Sequence, residues 1–426
     1  MSKPELVRGW SPKVVLPTTT LGNHDWATIV NLSKSGLTQL AAELRRNPRV
    51  DRLDLRHNYL GPDGIAILAT GLEGNYGLRT LNLFSNELAD AGAQVLGKAL
   101  CHQATLRDLN LTSNLIGDTG VETLATWVSK SAAIEVLRLR ENRVGEEGAK
   151  KLGAALQVNR SLKTLTLGLN DVGDGGVKFL AKGMGAGSTL TSLDLGANGI
   201  TSESAPYLAE VIEANCPLQR LDLRINRIRD WGARLIAEAL LKNTVLKDLD
   251  FTGNTIRDEC HDTLAEMLQE NCTLQKFSLE DNFLTDVAAK MFLKVLQLNP
   301  DLQLSKFVLT NNDISDLQMT QIDLFMRTHA AELKRKKKEK RRGSRGASSN
   351  HSSERDGSRS ASKGRRGSRS DSKGRRGSRS DSKGRRGSRS DSKGRRGSRK
   401  ASRNRKGSRT TSKLDRDGGR SKSKGE

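Results

Sequence analysis

The chain has 426 residues, of which 35% are hydrophobic and 4% aromatic, a lean composition for a set of ordinary compact cores. Its formal net charge of +23 is unevenly distributed: residues 334–426 hold 37 basic and 9 acidic residues, a net of +28, and residues 1–333 hold 35 and 40, a net of −5. This imbalance excludes an evenly basic globule and predicts a mildly acidic folded part followed by a basic segment.

The N-terminal sequence and the four cysteines bear on the cellular compartment. No apolar run has the length of a signal-peptide core or of a membrane span of roughly 18 residues. The cysteines show no paired metal-ligand spacing, and a chain of this length does not need a disulfide framework. We expect an intracellular protein, cytoplasmic or nuclear, which is a monomer without a membrane span. The cysteines are Cys101, Cys216, Cys260 and Cys272.

The first predicted element is a capping segment over residues 1–25, in which Trp10 is available to cover the first unit of a repeat array. The array itself spans residues 26–316 and repeats the pattern Leu-x-Leu-x-x-Asn-x-(Leu/Ile/Val). A degenerate first unit places Ser35 at the asparagine position, which makes about eleven units. The asparagines recur every 28 residues, with two extra residues before the last: Asn58, Asn86, Asn114, Asn142, Asn170, Asn198, Asn226, Asn254, Asn282 and Asn312.

Each unit has two halves with different hydrophobic periods. Leu81 and Leu83 alternate with polar residues, as in a short strand with one buried face. Ala93, Leu96 and Leu100 follow at the spacing of an amphipathic helix. A single unit of this size cannot bury its apolar side, so neighbours must stack. The sequence therefore predicts an α/β solenoid, a horseshoe with a parallel inner sheet and outer helices.

The recurring asparagines have a structural explanation. The chain turns sharply after each strand, and a short amide side chain can satisfy the backbone groups left at the turn. The glycines six residues later stand at the predicted helix entrances, where a missing side chain permits close packing. We therefore interpret both as scaffold residues. These glycines are Gly64, Gly92, Gly120, Gly148, Gly176 and Gly232.

This repeat resembles the ribonuclease-inhibitor-like class of leucine-rich repeats, which includes ribonuclease inhibitor, the repeats of NOD-like receptors, tropomodulin's C-terminal domain and the Ran GTPase-activating protein. The resemblance covers about seven-tenths of the chain. It implies a concave surface used for binding and does not imply one particular function.

Side chains beside the two strand leucines are predicted to line the concave face. Phe84 is the expected aromatic anchor, unless its neighbours cover it, and the charged residues either contact a protein partner or form internal ion pairs on a solvated face. The candidate partner-binding residues form an early cluster, Arg52, Asp54, Arg56, Phe84, Arg138 and Arg140, and a late cluster, Asp194, Arg220, Asp222, Arg224 and Asp250.

No catalytic, cofactor or metal site is predicted, because the six histidines show no ligand or nucleophile spacing. The segment LRHNYLGPDG nevertheless resembles the catalytic loop of the Ran GTPase-activating protein, with Asn58 at the place of the catalytic asparagine. His57 and Tyr59 depart from the asparagine and glycine of that loop. The chain is not predicted to be an enzyme, and regulation of a small GTPase is the alternative function.

After the repeats, residues 317–340 predict an amphipathic capping helix, in which Leu317, Ile322, Phe325 and Met326 are available to cover the last unit. From 341 to 426 the chain has almost no apolar residues, which predicts a disordered tail.

The tail repeats the decapeptide SDSKGRRGSR, a basic pattern that binds polyanions such as nucleic acid or acidic proteins. Serines behind paired arginines resemble sites of basophilic kinases, and each phosphate would add about −1.5 to −2 charges. We expect a protein-binding scaffold whose tail localises it, with an RNA-associated protein as a second alternative. The phosphorylation candidates are Ser344, Ser368, Ser378, Ser388 and Ser398.

Overall fold

The computed structural model describes residues 27–28, 32–46, 48–185 and 187–349, with side-chain detail from residue 32 up to residue 339. The capping segment predicted for residues 1–25 and the tail beyond residue 349 lie outside the described residues.

Within the described residues, eleven short strands form one parallel sheet in chain order, and each strand pairs with the strands of the neighbouring units. This confirms the predicted α/β solenoid. The strands are β1 (Ala27–Thr28), β2 (Arg52–Asp54), β3 (Thr80–Asn82), β4 (Asp108–Asn110), β5 (Val136–Arg138), β6 (Thr164–Thr166), β7 (Ser192–Asp194), β8 (Arg220–Asp222), β9 (Asp248–Asp250), β10 (Lys276–Ser278) and β11 (Lys306–Val308).

A helix follows each strand and packs against the helices of the adjacent units. Short 3-10 turns precede the seventh and ninth helices. The helices are α1 (Lys34–Arg46), α2 (Gly61–Leu72), α3 (Ala89–Leu100), α4 (Asp118–Lys130), α5 (Glu146–Val158), α6 (Gly173–Gly183), α7 (Ala205–Glu213), α8 (Arg229–Lys242), α9 (His261–Glu270), α10 (Asp286–Leu298) and α11 (Asp316–Ser349).

One continuous core lies between the sheet and the helices. The strand leucines Leu81 and Leu83 and the helix residues Ala93, Leu96 and Leu100 are all fully buried in it. The strand register places Leu81 beside the corresponding leucines of the adjacent strands, and phenylalanine takes this position on β10 and β11, so successive units add equivalent apolar layers. Each buried leucine stabilises the fold by roughly 1.5–3 kcal/mol, which is why stacking is required.

The predicted asparagines form a ladder along the ends of the strands. Asn226 donates from Nδ2 to the carbonyls of Leu195 (3.0 Å) and Leu223 (2.9 Å). Its Oδ1 accepts from the backbone N–H groups of Asn198 (3.0 Å) and Ile200 (3.1 Å). One side chain thus satisfies backbone groups of its own unit and of the preceding unit, and the same geometry recurs along the solenoid.

Two further ladders of hydrogen bonds link the helices of adjacent units, and they were not predicted from the sequence. At the helix starts, aspartates accept from the next unit, as when Asp230 Oδ1 accepts from the backbone N–H of Arg257 at 2.8 Å. At the helix ends, asparagines donate to the preceding unit, as when Asn243 Nδ2 donates to the carbonyl of Ile212 at 2.7 Å. Helix ends leave backbone groups without intrahelical partners, and these side chains satisfy some of them.

The first unit differs from the prediction at Ser35. Because β1 pairs with β2 at an offset of 26 residues, this unit is shorter than the others. Ser35 therefore lies inside the first turn of α1, and the backbone N–H of Leu32 donates to Asn58 Oδ1 at 2.9 Å.

The last helix, α11, covers the final unit and extends to Ser349, past the predicted end at residue 340. Ile322 and Met326 are buried and Phe325 is partly buried, whereas Leu317 is 65% exposed. Leu317 stands in the first turn, on a face of the helix that the final unit does not cover. In the part of the chain that the structure describes, no helix is both long and apolar enough to cross a membrane.

Candidate functional site

The concave face consists of three side-chain columns that run across the strands. We call them the leading column, before the first strand leucine, the central column, between the leucines, and the flanking column, after the second. On β2 these positions are Arg52, Asp54 and Arg56. Adjacent strands lie about 4.8 Å apart, so charges in neighbouring units interact directly.

On β2, Asp54 and Arg56 form an ion pair. Arg56 Nε donates to both carboxylate oxygens of Asp54, at 3.1 and 2.9 Å. Burial alone would raise the pKa of Asp54, but the hydrogen bonds from Arg56 outweigh it and hold this pKa below its ordinary value. Arg52 is half-buried in the leading column of the same strand.

Phe84 is half-buried on the concave face. Its ring meets the ring of His57 edge to face, with the centroids 4.8 Å apart. The aromatic surface predicted as an anchor is therefore partly covered by a neighbour, and the remaining part faces solvent.

The predicted early cluster is divided in the structure. Arg138 and Arg140 lie on and after β5, separated from Arg56 by β3 and β4. Arg138 forms an ion pair with Asp108 on β4. Arg140 instead reaches in the opposite direction, toward the late residues.

Arg140 contacts Asp194 across an intervening strand. Its Nη1 lies 3.2 Å from Asp194 Oδ2, and the residue between them in the flanking column is Gly168. A Cβ atom at Gly168 would lie 2.3 Å from Arg140 Nη1, so a side chain there would displace the Arg140 guanidinium from its present position. Burial raises the pKa of the Asp194 carboxyl, and the nearby charge of Asp222 acts in the same direction.

Arg224 joins the next two aspartates of the central column. Its Nε lies 2.9 and 2.8 Å from the carboxylate oxygens of Asp222 and 4.0 Å from Asp250 Oδ2. Asp194, Asp222 and Asp250 are register partners on β7, β8 and β9. We call these five residues the concave network: Arg140, Asp194, Asp222, Arg224 and Asp250.

Arg220, also predicted for the late cluster, lies apart from this network in the leading column. Its Nε is 3.2 Å from Asp248 Oδ2, and Lys276 Nζ is 3.1 Å from the same oxygen. Lys276 and Lys247 were not among the residues predicted from the sequence. Their signal was the presence of basic residues just before the core positions of the strands.

Asn58 has the same role as the other ladder asparagines. Its side chain is buried, its Nδ2 donates to the carbonyls of Leu55 (2.8 Å) and Arg56 (3.1 Å), and its Oδ1 accepts from Leu32. This geometry gives no support to a catalytic role for Asn58 in GTP hydrolysis. No cluster of three or more His, Cys, Asp or Glu side chains suited to a metal ion occurs in the described residues.

Large exposed apolar side chains lie on the loops after the strands. Ile225 is 60% exposed and Phe283 48% exposed, and Tyr59 occupies the position of Phe283 in the second unit. Ile225 has a φ of 55°, a left-handed conformation that costs a β-branched residue roughly 1–2 kcal/mol. These residues border the concave face.

A family model described as Leucine Rich repeat matches six segments of the chain. The sequence of the chain has no significant match among curated proteins. The matched segments are residues 78–97, 102–125, 158–181, 188–209, 214–237 and 242–259.

Solved structures of low sequence identity are also similar to the chain. An internalin from Listeria monocytogenes is 20% identical, with 61% of this chain and 80% of that chain covered and a TM-score of 0.35. The tropomodulin C-terminal domain from Caenorhabditis elegans is 15% identical, covering 36% and 92%, with a TM-score of 0.31. Leiomodin-1 actin-binding site 2 is 22% identical, covering 42% and 87%, with a TM-score of 0.29. The repeat matches, the parallel sheet in chain order and the asparagine ladder together show that the described part of the chain has the fold of a leucine-rich-repeat solenoid.

Proposed function

We propose that the solenoid binds a protein partner on its concave face, centred on the concave network. The observation that carries this proposal is the contact of Arg140 with Asp194 across Gly168. Two opposite charges are held in a fixed position on an open sheet, although neither is required to complete the core.

The network is ordered and still accessible. The side chain of Arg140 is 36% exposed, that of Arg224 44% and that of Asp250 27%. Ordered, partly exposed charges lose little conformational freedom on binding, and they favour a complementary partner over others. We therefore assign specificity to the network, and additional apolar contact to Phe84 at the other end of the face.

We also propose that the repeats are of the ribonuclease-inhibitor-like type. The 28-residue period and the full helix in most units support this assignment. Such a unit places bulk on the convex side, which curves the sheet inward and gives a partner a concave surface.

The test is proximity labelling with the full chain, comparing the wild type with Arg140→Gln, Arg224→Gln and Phe84→Ala. We expect a protein recovered with the wild type to be reduced at least tenfold, on the order of 1.4 kcal/mol in binding free energy, by the two arginine changes. Arg327→Gln on α11, where the side chain is 82% exposed, is the matched control and should leave recovery unchanged. Equal recovery with all variants would contradict the proposal.

For the tail, we propose polyanion binding that phosphorylation weakens. The net charge of +28 over residues 334–426 supports this, because cations release counterions from a polyanion. Ser344 lies in α11, and the other four candidates, Ser368, Ser378, Ser388 and Ser398, lie outside the described residues. The affinity of the full chain for RNA should fall after treatment with a basophilic kinase. Unchanged affinity at ordinary salt would contradict this proposal.

A further inference from the structure

We infer that a basic cleft at the leading edge of the concave sheet binds an acidic peptide segment of the protein partner. This inference rests on the proposed function and specifies the chemistry of that partner. The cleft crosses five consecutive strands, from Thr164 on β6 to Lys276 on β10, and has a volume of about 350 Å³.

The lining of the cleft is positively charged. It contains three cations, Arg220, Lys247 and Lys276, and one carboxylate, Asp248, a net charge of +2. Asp248 Oδ2 is shared by Arg220 Nε at 3.2 Å and Lys276 Nζ at 3.1 Å, so one anion serves two cations. The two cations are thereby held in place without being fully neutralised.

The third cation has a neutral partner. Lys247 Nζ donates to Gln219 Oε1 at 3.0 Å, which orders the ammonium group without cancelling its charge. Lys306 on β11 continues the leading column as the register partner of Lys276, so the positive charge extends beyond the cleft. An anionic ligand would meet cations that are already oriented, which lowers the cost of ordering them.

The remaining lining suits a peptide. Thr164, Ser192, Gln219 and Gln275 supply hydroxyl and amide groups, which both donate and accept hydrogen bonds, as peptide groups do. Four inter-strand steps span roughly 19 Å, about the length of six extended residues at roughly 3.3 Å each.

The same lining is less suited to nucleic acid. No aromatic side chain lines the cleft to stack on a base. We therefore commit to a segment rich in aspartate or glutamate.

The experiment uses the full chain and a hexaglutamate peptide with a terminal benzophenone, whose photochemical attachment sites are mapped by mass spectrometry. We expect attachment to the leading column between residues 163 and 306. The double variant Arg220→Gln/Lys276→Gln should reduce it at least fivefold, while attachment to the basic tail stays constant as an internal reference. Both side chains are at least half exposed, at 59% and 50%, so the fold should tolerate the changes, which circular dichroism would check.

The matched control is Lys290→Gln/Arg327→Gln, which removes two positive charges from α10 and α11. It should leave attachment at the cleft unchanged. Attachment confined to the tail, or equal attachment in both double variants, would overturn the inference. If a single-stranded oligonucleotide displaces the peptide from the cleft at lower concentration than free hexaglutamate does, the acidic-peptide assignment is wrong.

The variants of the concave network separate this inference from the proposed function. Arg140→Gln and Arg224→Gln should leave hexaglutamate attachment intact even where they abolish partner recovery. If the wild type shows no hexaglutamate attachment to the cleft while partner recovery still depends on Arg140 and Arg224, the cleft is rejected and the concave proposal is kept.

Discussion

The side chain of Asn226 forms hydrogen bonds with several backbone groups, which the apolar side chain of a strand leucine cannot do. It bonds carbonyls of two units and accepts from two N–H groups, and the side chain is 5% exposed. Because these groups are buried, each one that is left without a partner costs roughly 1–3 kcal/mol. At the scale of the residue, the ladder is therefore a larger source of fold specificity than the surface ion pairs are.

We predict that Asn226→Ala lowers the free energy of unfolding by about 3 kcal/mol, since several buried backbone groups lose their partner together. The measurement is urea denaturation followed by circular dichroism. Asn312→Ala is the comparison: Asn312 Nδ2 also donates to the carbonyls of Leu279 (2.8 Å) and Leu309 (2.9 Å), and its Oδ1 accepts from Leu284, but the side chain is partly exposed, so water can replace part of these bonds. It should cost less than half as much, and equal costs at the two positions would contradict this account of the ladder.

The residues that the sequence predicted well are those that repeat. The 28-residue period predicts the ladder asparagines, such as Asn226. The aspartates at the helix starts, such as Asp230, follow the same period, so the sequence also contains the signal for that ladder. The contact of Arg140 with Asp194 could not be predicted from the sequence, because it depends on how far the Arg140 side chain extends over Gly168. Partial coverage of Phe84 by His57 likewise depends on side-chain conformation, which no periodicity encodes.

Helix α5 packs against α6 with their backbones in close approach. A Cβ atom at Gly153 would lie 2.3 Å from the carbonyl oxygen of Phe179, and one at Gly183 would lie 2.4 Å from the carbonyl oxygen of Gly153. A backbone carbonyl in a packed helix has little room to move, so these contacts set the spacing of the two helices. A lone glycine in a helical pattern signals close packing, but the sequence does not say which neighbour it faces.

Gly153→Ala should therefore destabilise the protein, because overpacking of about 1–3 kcal/mol exceeds the gain in helix propensity of about 1 kcal/mol. The expected net loss is up to about 2 kcal/mol, measured as a shift of the urea midpoint. Gly185→Ala serves as the comparison, since the nearest atom to its added Cβ would be 3.6 Å away. Should both substitutions stabilise, the close approach of α5 and α6 would not limit packing.

In the described solenoid the strand and helix of each unit pack mainly against those of the adjacent units, so unfolding should begin at an end rather than in the middle. Helix α11 protects one end by burying Ile322, Met326 and Leu333. Within this helix His329 Nε2 lies 3.1 Å from the carbonyl oxygen of Leu302. Burial lowers the pKa of His329 below its ordinary value near 6.5, although the bond to Leu302 and the charge of Glu332 act in the opposite direction.

Acidification should accordingly loosen this end first. The neutral imidazole is favoured in the folded state, so its contribution is complete above pH 6.5 and is lost as the pH falls toward the lower folded pKa. We expect hydrogen exchange, corrected for intrinsic rates, to rise in α11 and β11 between pH 7.5 and pH 5.5, while β6 stays protected. His329→Gln should remove the difference between the two pH values, and an undiminished difference would assign the effect to other groups.

The ladder also constrains how such a chain can change in length. A ladder asparagine bonds backbone groups of its own unit and of the preceding unit, so an extra residue inserted among those groups would misalign both sets of bonds. The two-residue insertion before Asn312 falls between the helix-end ladder residue Asn299 and β11, and the bonds of Asn299 and Asn312 to the preceding unit are both kept. Duplication or loss of a whole 28-residue segment would leave every junction unchanged. The solenoid can therefore gain or lose complete units while its core packs in the same way. The area available to a partner would change with the number of units.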